Sequence, residues 1–304
     1  MSKLFLKKDI RITLIGAGKL ACSLVPALLD KNYKITSVYD IHLESAADIA
    51  LKYNIKNHSD ALFNFDPDSN IFILAVPDGE IKKVVGLLSL LNIEFAKSLF
   101  IHTSGSRNIS VMNSLKEEGA LTASLHLMQT FPSRKKLSLK GSYAAVETDN
   151  AEVNEFLTAL ATELELLPVS IGPEEKVYYH LLGVLASNFL AANMFCAEIS
   201  NELMSNPIPD LFKLLEPIVT STYSNIAKLG ATEALSGPIE RGDFETIEMH
   251  VNALSNNYEL QFHYVTTSIT LLEVVHSKGD IPTREYGKIK LFLTAKLKEL
   301  AEQL

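Results

Sequence analysis

Cysteine is scarce in this sequence, which has only Cys22 and Cys196 among 304 residues and no CxxC spacing. A disulfide framework or a zinc site needs more cysteines at closer spacing, so we expect two small buried side chains in a reducing compartment. Most of the histidines are also scattered without metal-ligand spacing, so no metal is expected. These histidines are His42, His58, His250, His263 and His276.

Positive charge is in the minority, with 28 Lys and Arg against 36 Asp and Glu and a formal net charge of -8. A protein that binds nucleic acid needs a basic surface to neutralise phosphates, and this chain has no basic stripe. The composition therefore argues against nucleic acid as a partner. The run Arg134-Lys135-Lys136 is interpreted either as solvated surface or as a contact for a phosphate or carboxylate.

Long apolar runs are also missing, because none reaches the ~18–20 residues that cross a bilayer. The N-terminal segment lacks the apolar stretch of a signal peptide. We therefore expect a cytoplasmic protein without a membrane partner. Hydrophobic residues still make up 47% of the chain, which is enough for the cores of two domains.

The first half of the chain alternates short apolar strands with helices. Strands are predicted at 10–15, 34–39, 71–76, 98–102, 120–127, 142–146 and 166–171. Apolar strands without polar alternation indicate a parallel sheet with helices on both faces. After residue 172 nearly all of the chain is predicted to be helical, beginning with a long helix from Pro173 to about Leu203. The fold class is therefore α/β, with a doubly wound Rossmann domain over 1–168 and an all-α domain over 169–304.

A dinucleotide fingerprint follows the first strand and opens the first helix. Gly16-Ala17-Gly18-Lys19-Leu20-Ala21 matches GxGxxG/A, where the glycines allow a tight turn and the close approach of a pyrophosphate. Asp40 ends the second strand, where a carboxylate binds a ribose 2′-OH and repels a 2′-phosphate. We therefore predict NAD or NADP as cofactor, with NAD favoured. The alternative is a Rossmann fold that has lost its nucleotide.

Two further loops are predicted at the carboxyl edge of the sheet. Val76, Pro77 and Asp78 end one strand and are assigned to the cofactor site, with helix capping as the alternative for Asp78. The segment 102–106, His-Thr-Ser-Gly-Ser, ends the next strand. The Ser104 hydroxyl either reaches nicotinamide or substrate or satisfies the turn.

Hydride transfer to a carbonyl or imine needs a proton donor, a task that suits histidine. His126 is one candidate, with a packed histidine as the alternative. His180, Ser187 and Asn188 share one helix face with small residues, which indicates either a catalytic and substrate site or a helix seam. Arg241 is a candidate clamp for a substrate carboxylate, and Asp243 either holds that arginine or caps a helix.

Six segments in this order resemble a bacterial family of Rossmann-like proteins with a helical C-terminal domain of unknown function, often described only as NADP oxidoreductases. The segments are 16–21, 75–78, 102–106, 124–131, 179–190 and 236–243. The chain is more distantly similar to pyrroline-carboxylate reductase, ketopantoate reductase, prephenate dehydrogenase and phosphogluconate dehydrogenase. The resemblance implies chemistry on small carboxylate-bearing carbonyls, imines or alcohols, and dimerisation through the helical domain.

The chain departs from this family at two places. His126-Leu127 stands where many members have His-Pro, and Asp40-Ile41-His42 stands where many have the Ser-Arg that suits NADP. The leading hypothesis is an NAD(P)-dependent oxidoreductase; the alternatives are a nucleotide-binding scaffold or redox sensor dimer, and an enzyme that uses its cofactor internally. An enzyme predicts a polar pocket that His126 or His180 enters, whereas a scaffold predicts that both side chains are packed.

Overall fold

The structure is a computed structural model that describes residues 6–279 and 281–303. The strands of this part of the chain form one sheet in the order β3-β2-β1-β4-β5-β6-β7-β8. All seven predicted strands are present, within a few residues of their predicted bounds. The strands are β1 Ile12–Ile15, β2 Ile35–Tyr39, β3 Asn57–Ser59, β4 Ile71–Leu74, β5 Leu99–His102, β6 Leu121–Leu127, β7 Tyr143–Glu147 and β8 Leu167–Ser170.

The prediction of a wholly parallel sheet is wrong at one pair, because β7 runs antiparallel to β6. A loop rather than a helix joins these two strands, and a chain without a crossover helix can return beside its own strand in the opposite direction. The other pairs are parallel. The α/β doubly wound class is confirmed.

Helices cover both faces of the sheet and explain why its strands are apolar throughout. Leu14 points into one core and its neighbour Ile15 into the other, and both are fully buried. Helices α1, α2 and α5 pack on the first face, and α3 and α4 on the second. Their bounds are α1 Ala21–Asp30, α2 Leu43–Lys52, α3 Ile81–Leu88, α4 Asn113–Glu117 and α5 Ala151–Glu163.

The connections reverse direction at β1, which has β2 on one side and β4 on the other. In doubly wound sheets, ligands bind in the crevice outside the carboxyl ends of the strands at this switch point. The predicted cofactor residues lie there, after β1, after β2 and after β4.

The described chain divides into two compact units, and the boundary in the sequence lies between Phe189 and Leu190. The division falls within a long helix over 176–202, made of α6 Lys176–Gly183, a π-helical segment Val184–Asn188 and α7 Phe189–Glu202. The second unit is helical, as predicted, and has its own apolar core. Its remaining helices are α8 Leu211–Leu229, α9 Ala231–Ala234, α10 Phe244–Ala253, α11 Tyr258–Lys278 and α12 Thr283–Ala301.

Helix 176–202 corrects the expectation that no segment is long and apolar enough to cross a bilayer. It has a window with a mean hydropathy of 1.4, and none of that window is buried. It contains no uninterrupted apolar run of that length, because His180, Ser187 and Asn188 lie among its apolar residues. A helix that packs against a partner subunit can have the same length and composition, so these features alone do not identify a membrane span.

Candidate active site

The β1–α1 connection, residues 16–20, is here called the glycine turn. Gly16 has φ +102°, and a Cβ on it would lie only 2.4 Å from the Ala75 carbonyl oxygen. No atom lies within 4 Å of a Cβ built on Gly18. The first glycine therefore lets the turn pass close to β4, while the second leaves the backbone open to an approaching group. This combination fits the pyrophosphate of a dinucleotide at the start of α1.

Asp40 holds the glycine turn at the end of β2. One carboxylate oxygen accepts the Ala17 N–H at 2.7 Å and the other accepts the His42 N–H at 2.9 Å. Each oxygen of an ionised carboxylate has more than one acceptor position, so ribose hydroxyls can still bind Asp40. The carboxylate therefore stands beside the turn where the sequence predicts the ribose contact.

Asp78 lies in the loop after β4, and the alternative that it caps the next helix is wrong. The residue before α3 is Glu80, and Asp78 instead accepts a hydrogen bond from the Ser106 hydroxyl at 2.6 Å. Burial raises the pKa of Asp78, but hydrogen bonds from Ser106 and Ser104 and the nearby His180 and His102 outweigh it, so the net pKa is lowered. A carboxylate thus links the loop after β4 to the loop after β5.

His102 and Ser104 form the base of this edge. The fully buried His102 accepts the Ser104 N–H at its Nδ1, and burial, reinforced by Lys176, lowers its pKa to about 3. The Ser104 Oγ accepts the N–H groups of Ser106 and Arg107, so this hydroxyl satisfies the turn, the second of the two alternatives. Its predicted contact with substrate remains a prediction.

A cavity of about 540 Å³ opens beside this loop and is here called the histidine cavity. Its walls come from the end of β6, the β6–β7 loop, the start of β7 and the long helix. Thirteen residues line it: His126, Met128, Gln129, Thr130, Tyr143, Tyr179, His180, Leu182, Gly183, Val184, Ala186, Ser187 and Asn188. All of them belong to the first unit. The structure therefore brings together His126, His180, Ser187 and Asn188, which the sequence singled out.

Gly105 supports the two histidines from the β5 loop. A Cβ on Gly105 would lie 2.6 Å from His180 Cδ2 and 2.7 Å from His126 Nε2. The ring centroids of the two histidines are 6.1 Å apart. The absence of a side chain at residue 105 therefore allows both imidazoles to pack against the loop that carries Ser104 and Ser106.

Buried polar atoms at this edge lack hydrogen-bond partners within the described chain. They include His126 Nδ1, the Tyr179 hydroxyl and His102 Nε2. Buried polar atoms in native proteins nearly always have a partner, so these atoms mark a place where a ligand or water belongs. Burial, aided by the positive charges of His180 and Lys176, lowers the pKa of His126 to about 4, and burial raises the pKa of Tyr179 to about 12. Both side chains are therefore neutral near pH 7.

The π-helical segment Val184–Asn188 carries two further polar residues of the histidine cavity. Single π-helical turns often occur at functional sites, because the wider turn changes how successive side chains project. Here Ser187 and Asn188, which are adjacent in sequence, both line the cavity. Gly183 lets Met128 approach, since a Cβ there would lie 2.8 Å from its sulfur.

A buried ion pair under the cavity was not predicted. Lys176 Nζ donates to Glu147 at 2.7 Å and to the Ser124 hydroxyl, and Glu147 also accepts the Ile109 N–H. The side chains of Lys176 and Glu147 are only 3% and 4% exposed. The signal in the sequence was a single lysine at the start of an apolar helix, but its partner lies on β7 and cannot be found from spacing.

The candidates outside the cavity have simpler surroundings. Asp243 caps α10 by accepting the N–H and hydroxyl of Thr246, which confirms the capping alternative. Arg241 is an exposed residue of the second unit, and its role as a carboxylate clamp remains a prediction. Cys22 and Cys196 are free. Within 6–279 and 281–303, no three His, Cys, Asp or Glu side chains gather as metal ligands would.

Family models match most of the chain in two parts. Residues 4–127 match a Rossmann-like domain, and residues 142–269 match a domain of unknown function, DUF2520. These matches confirm the family resemblance inferred from the six segments. No protein of curated function matches the chain.

Solved structures share the architecture. A Bacteroides fragilis protein, BF3122, provisionally described as an NADP oxidoreductase, is 25% identical, with 88% of this chain and 99% of that chain covered and a TM-score of 0.75. Protein TM1727 of Thermotoga maritima is 24% identical over the same shares, with a TM-score of 0.65. An imine reductase from Myxococcus stipitatus in complex with NADP+ is 13% identical over 92% and 99%, with a TM-score of 0.66. The last two likenesses concern the fold alone.

Proposed function

We propose that this chain, in which a Rossmann-like domain is followed by a DUF2520 domain, is an oxidoreductase that uses a nicotinamide dinucleotide. Its substrate is a small anionic carbonyl, imine or alcohol. The observation that carries the proposal is the histidine cavity, in which His126, His180, Ser187 and Asn188 surround about 540 Å³ at the carboxyl edge of the sheet. The provisional description of BF3122 supports the same class of reaction.

The glycine turn and the two neighbouring loops would hold the cofactor, which supplies or takes up a hydride when bound. The N–H groups at the start of α1 face its phosphates, Asp40 binds its ribose hydroxyls, and Val76, Pro77 and Asp78 line its other side. Asp40 favours NADH, because a carboxylate repels a 2′-phosphate.

The proton that accompanies hydride transfer moves within the histidine cavity. His180 is proposed as the donor in reduction and the acceptor in oxidation, and Asn188 orients the substrate oxygen or nitrogen. His126 carries no spare proton near pH 7 because its pKa is about 4, so it serves as a neutral hydrogen-bonding group. Ser104 and Ser187 are proposed to bind the rest of the substrate.

A scaffold or sensor that only binds nucleotide is the second candidate, and the cavity argues against it. A scaffold has no need for buried polar atoms without partners, since each costs roughly 1–3 kcal/mol of stability. His126 and Tyr179, which line the cavity, nevertheless each carry such an atom. Rearrangement of these side chains around a bound substrate would remove this cost, which favours the enzyme.

A homodimer is proposed as the working state. No residue of α7 or α8 is buried, although both helices carry large apolar side chains, such as Phe195 at 60% and Ile218 at 63% exposure. Apolar surface of this extent marks an interface. A second copy of the chain is expected to cover this surface. Such an interface would also account for the apolar character of helix 176–202, so that no membrane is needed to explain it.

The test begins with titration of the purified protein with NADH and NADPH by calorimetry. Tighter binding of NADH supports the role of Asp40 in favouring NADH. Tighter binding of NADPH removes that role of Asp40 but is consistent with the proposed oxidoreductase. Keto and imino acids are then screened by the loss of reduced-nicotinamide absorbance, and light scattering without detergent tests the dimer. Failure to bind either cofactor would overturn the proposed function.

A further inference from the structure

The β6–β7 loop carries the basic run Arg134-Lys135-Lys136 across the first helix to the glycine turn. The Leu137 N–H donates to the buried Ser23 hydroxyl of α1 at 3.0 Å. Leu139 is 4% exposed and Phe131 packs against the core under α1. The loop is therefore anchored on both sides of the basic run, which places Arg134 at a defined position.

Arg134 joins the glycine turn to α2. Its Nη1 donates to the Ala17 carbonyl at 2.5 Å, and its Nη2 donates to the Asp48 carboxylate at 3.0 Å and to the Ser45 carbonyl at 3.5 Å. Asp40 accepts the N–H of the same Ala17. The Arg134 guanidinium thus binds the carbonyl oxygen of Ala17, and the Asp40 carboxylate binds the amide N–H of the same residue.

These contacts lie where the adenosine ribose of a bound dinucleotide belongs. In Rossmann domains an acidic residue at the end of the second strand binds the ribose 2′-OH, and a nearby arginine accommodates a 2′-phosphate when there is one. Asp40 is in the first position. No arginine follows it in 41–44, but Arg134 reaches the same region from a distant loop.

We propose that Arg134 binds the 2′-phosphate of NADPH, so that this chain accepts NADPH beside NADH in spite of Asp40. This inference rests on the proposed function and deepens its cofactor site. The ion-pair partner of Arg134 is a weak competitor, because Asp48 is 64% exposed and exposed ion pairs contribute little. A phosphate dianion makes stronger, bidentate bonds to a guanidinium.

The alternative is that Arg134 only fastens the loop to the glycine turn, and the two roles have different consequences. Loss of a fastening residue would disturb the turn and weaken every dinucleotide alike. Loss of a 2′-phosphate ligand would weaken only the cofactor that carries this phosphate. The informative quantity is therefore a ratio of affinities rather than a single affinity.

The experiment measures calorimetric binding of ADP-ribose and of 2′-phospho-ADP-ribose, which contain the adenosine half of the cofactors and cannot react. Arg134→Gln is compared with the wild type, and Lys136→Gln is the control because Lys136 pairs with Asp30 on α1. We expect Arg134→Gln to weaken the 2′-phosphorylated probe about ten-fold, or about 1.4 kcal/mol, and ADP-ribose less than about two-fold. Lys136→Gln should leave the ratio unchanged.

Two results would overturn the inference while leaving the proposed function intact. One is an unchanged ratio of the two affinities in Arg134→Gln, as when both probes weaken equally. The other is a wild type that binds only ADP-ribose. A wild type that binds neither probe and neither cofactor would instead remove the proposed function itself.

Discussion

The glycine turn and the histidine cavity lie at the same edge of one sheet and are built in opposite ways. The turn consists of consecutive residues whose backbone groups are held by neighbours, as when the Gly16 N–H donates to Tyr39 and the Ala17 N–H to Asp40. The cavity collects His126 and His180 from two separate segments, and both side chains pack against Gly105 of a third. Two of its side chains, His126 and Tyr179, also carry buried polar atoms that have no partner within the described residues.

This difference separates recognition of a common cofactor from recognition of a particular substrate. A turn that is rigid before binding needs only glycines in the right places, and many proteins share it. A cavity with unsatisfied polar atoms is complete only with a ligand of matching shape and polarity. The four predictions below test whether the two regions have these separate roles.

The largest effect is expected from His180→Ala. We predict that turnover falls about 10²–10⁴-fold, the usual contribution of a positioned acid or base, while the affinity for NADH changes less than about two-fold. Steady-state kinetics and calorimetry measure the two quantities. His58→Ala, at an exposed histidine of β3, is the control that should change neither. Unchanged turnover in His180→Ala would remove its catalytic role.

Gly105→Ala tests the assembly of the cavity. The new Cβ would collide with both imidazoles, and a displacement of catalytic groups by about 1 Å costs roughly 10²-fold in rate, so turnover should fall by that factor. Gly86→Ala in α3 is the matched control, because nothing lies within 4 Å of its Cβ. If Gly105→Ala turns over as fast as Gly86→Ala, the two histidines do not act from their present positions.

The two glycines of the turn should respond differently to the same substitution. Gly16→Ala places a Cβ against the Ala75 carbonyl at a positive φ, so the free energy of unfolding should fall by about 2–4 kcal/mol. Gly18→Ala should leave stability within about 1 kcal/mol and weaken NADH about ten-fold, because its side chain meets only the bound pyrophosphate. Urea denaturation and calorimetry distinguish them, and an equal loss of stability in both would contradict this account.

The last prediction concerns the dependence of stability on pH. His102 and His126 have folded-state pKa values of about 3 and about 4, below the ordinary 6.5, so the unfolded chain binds more protons as the pH falls below about 6.5. Stability should therefore be greatest above that pH and decrease toward pH 4, by at most about 1.4 kcal/mol per pH unit for each histidine. Urea midpoints between pH 5 and 7 should change less in His102→Gln than in the wild type. An equal pH dependence would contradict the assignment.

The features predicted from the sequence are those encoded by neighbouring residues. The seven apolar strands, the glycine turn and the helix face of His180, Ser187 and Asn188 all follow from local periodicity or spacing. Strand β3 was missed because Asn57–Ser59 is short and polar, and its pairing with β2 has no signature in the sequence.

The remaining features depend on contacts between distant segments. The Lys176–Glu147 ion pair, the fit of Gly105 against two histidines and the hydrogen bond from Ser106 to Asp78 join residues on different strands and helices. The reversal of β7 depends on how a loop returns to the sheet. None of these has a signature within a window of sequence, because the partner of each residue is set by the fold.

The most direct test asks whether binding of a cofactor at the glycine turn changes the environment of the side chains in the histidine cavity. Imidazole proton resonances of His126, His180 and His58 are assigned with single histidine variants and followed by NMR during addition of NADH. The account predicts saturable shifts of His126 and His180 with one dissociation constant and an unchanged His58. Saturable binding that leaves all three resonances in place would contradict it, because the cavity would then not belong to the cofactor site.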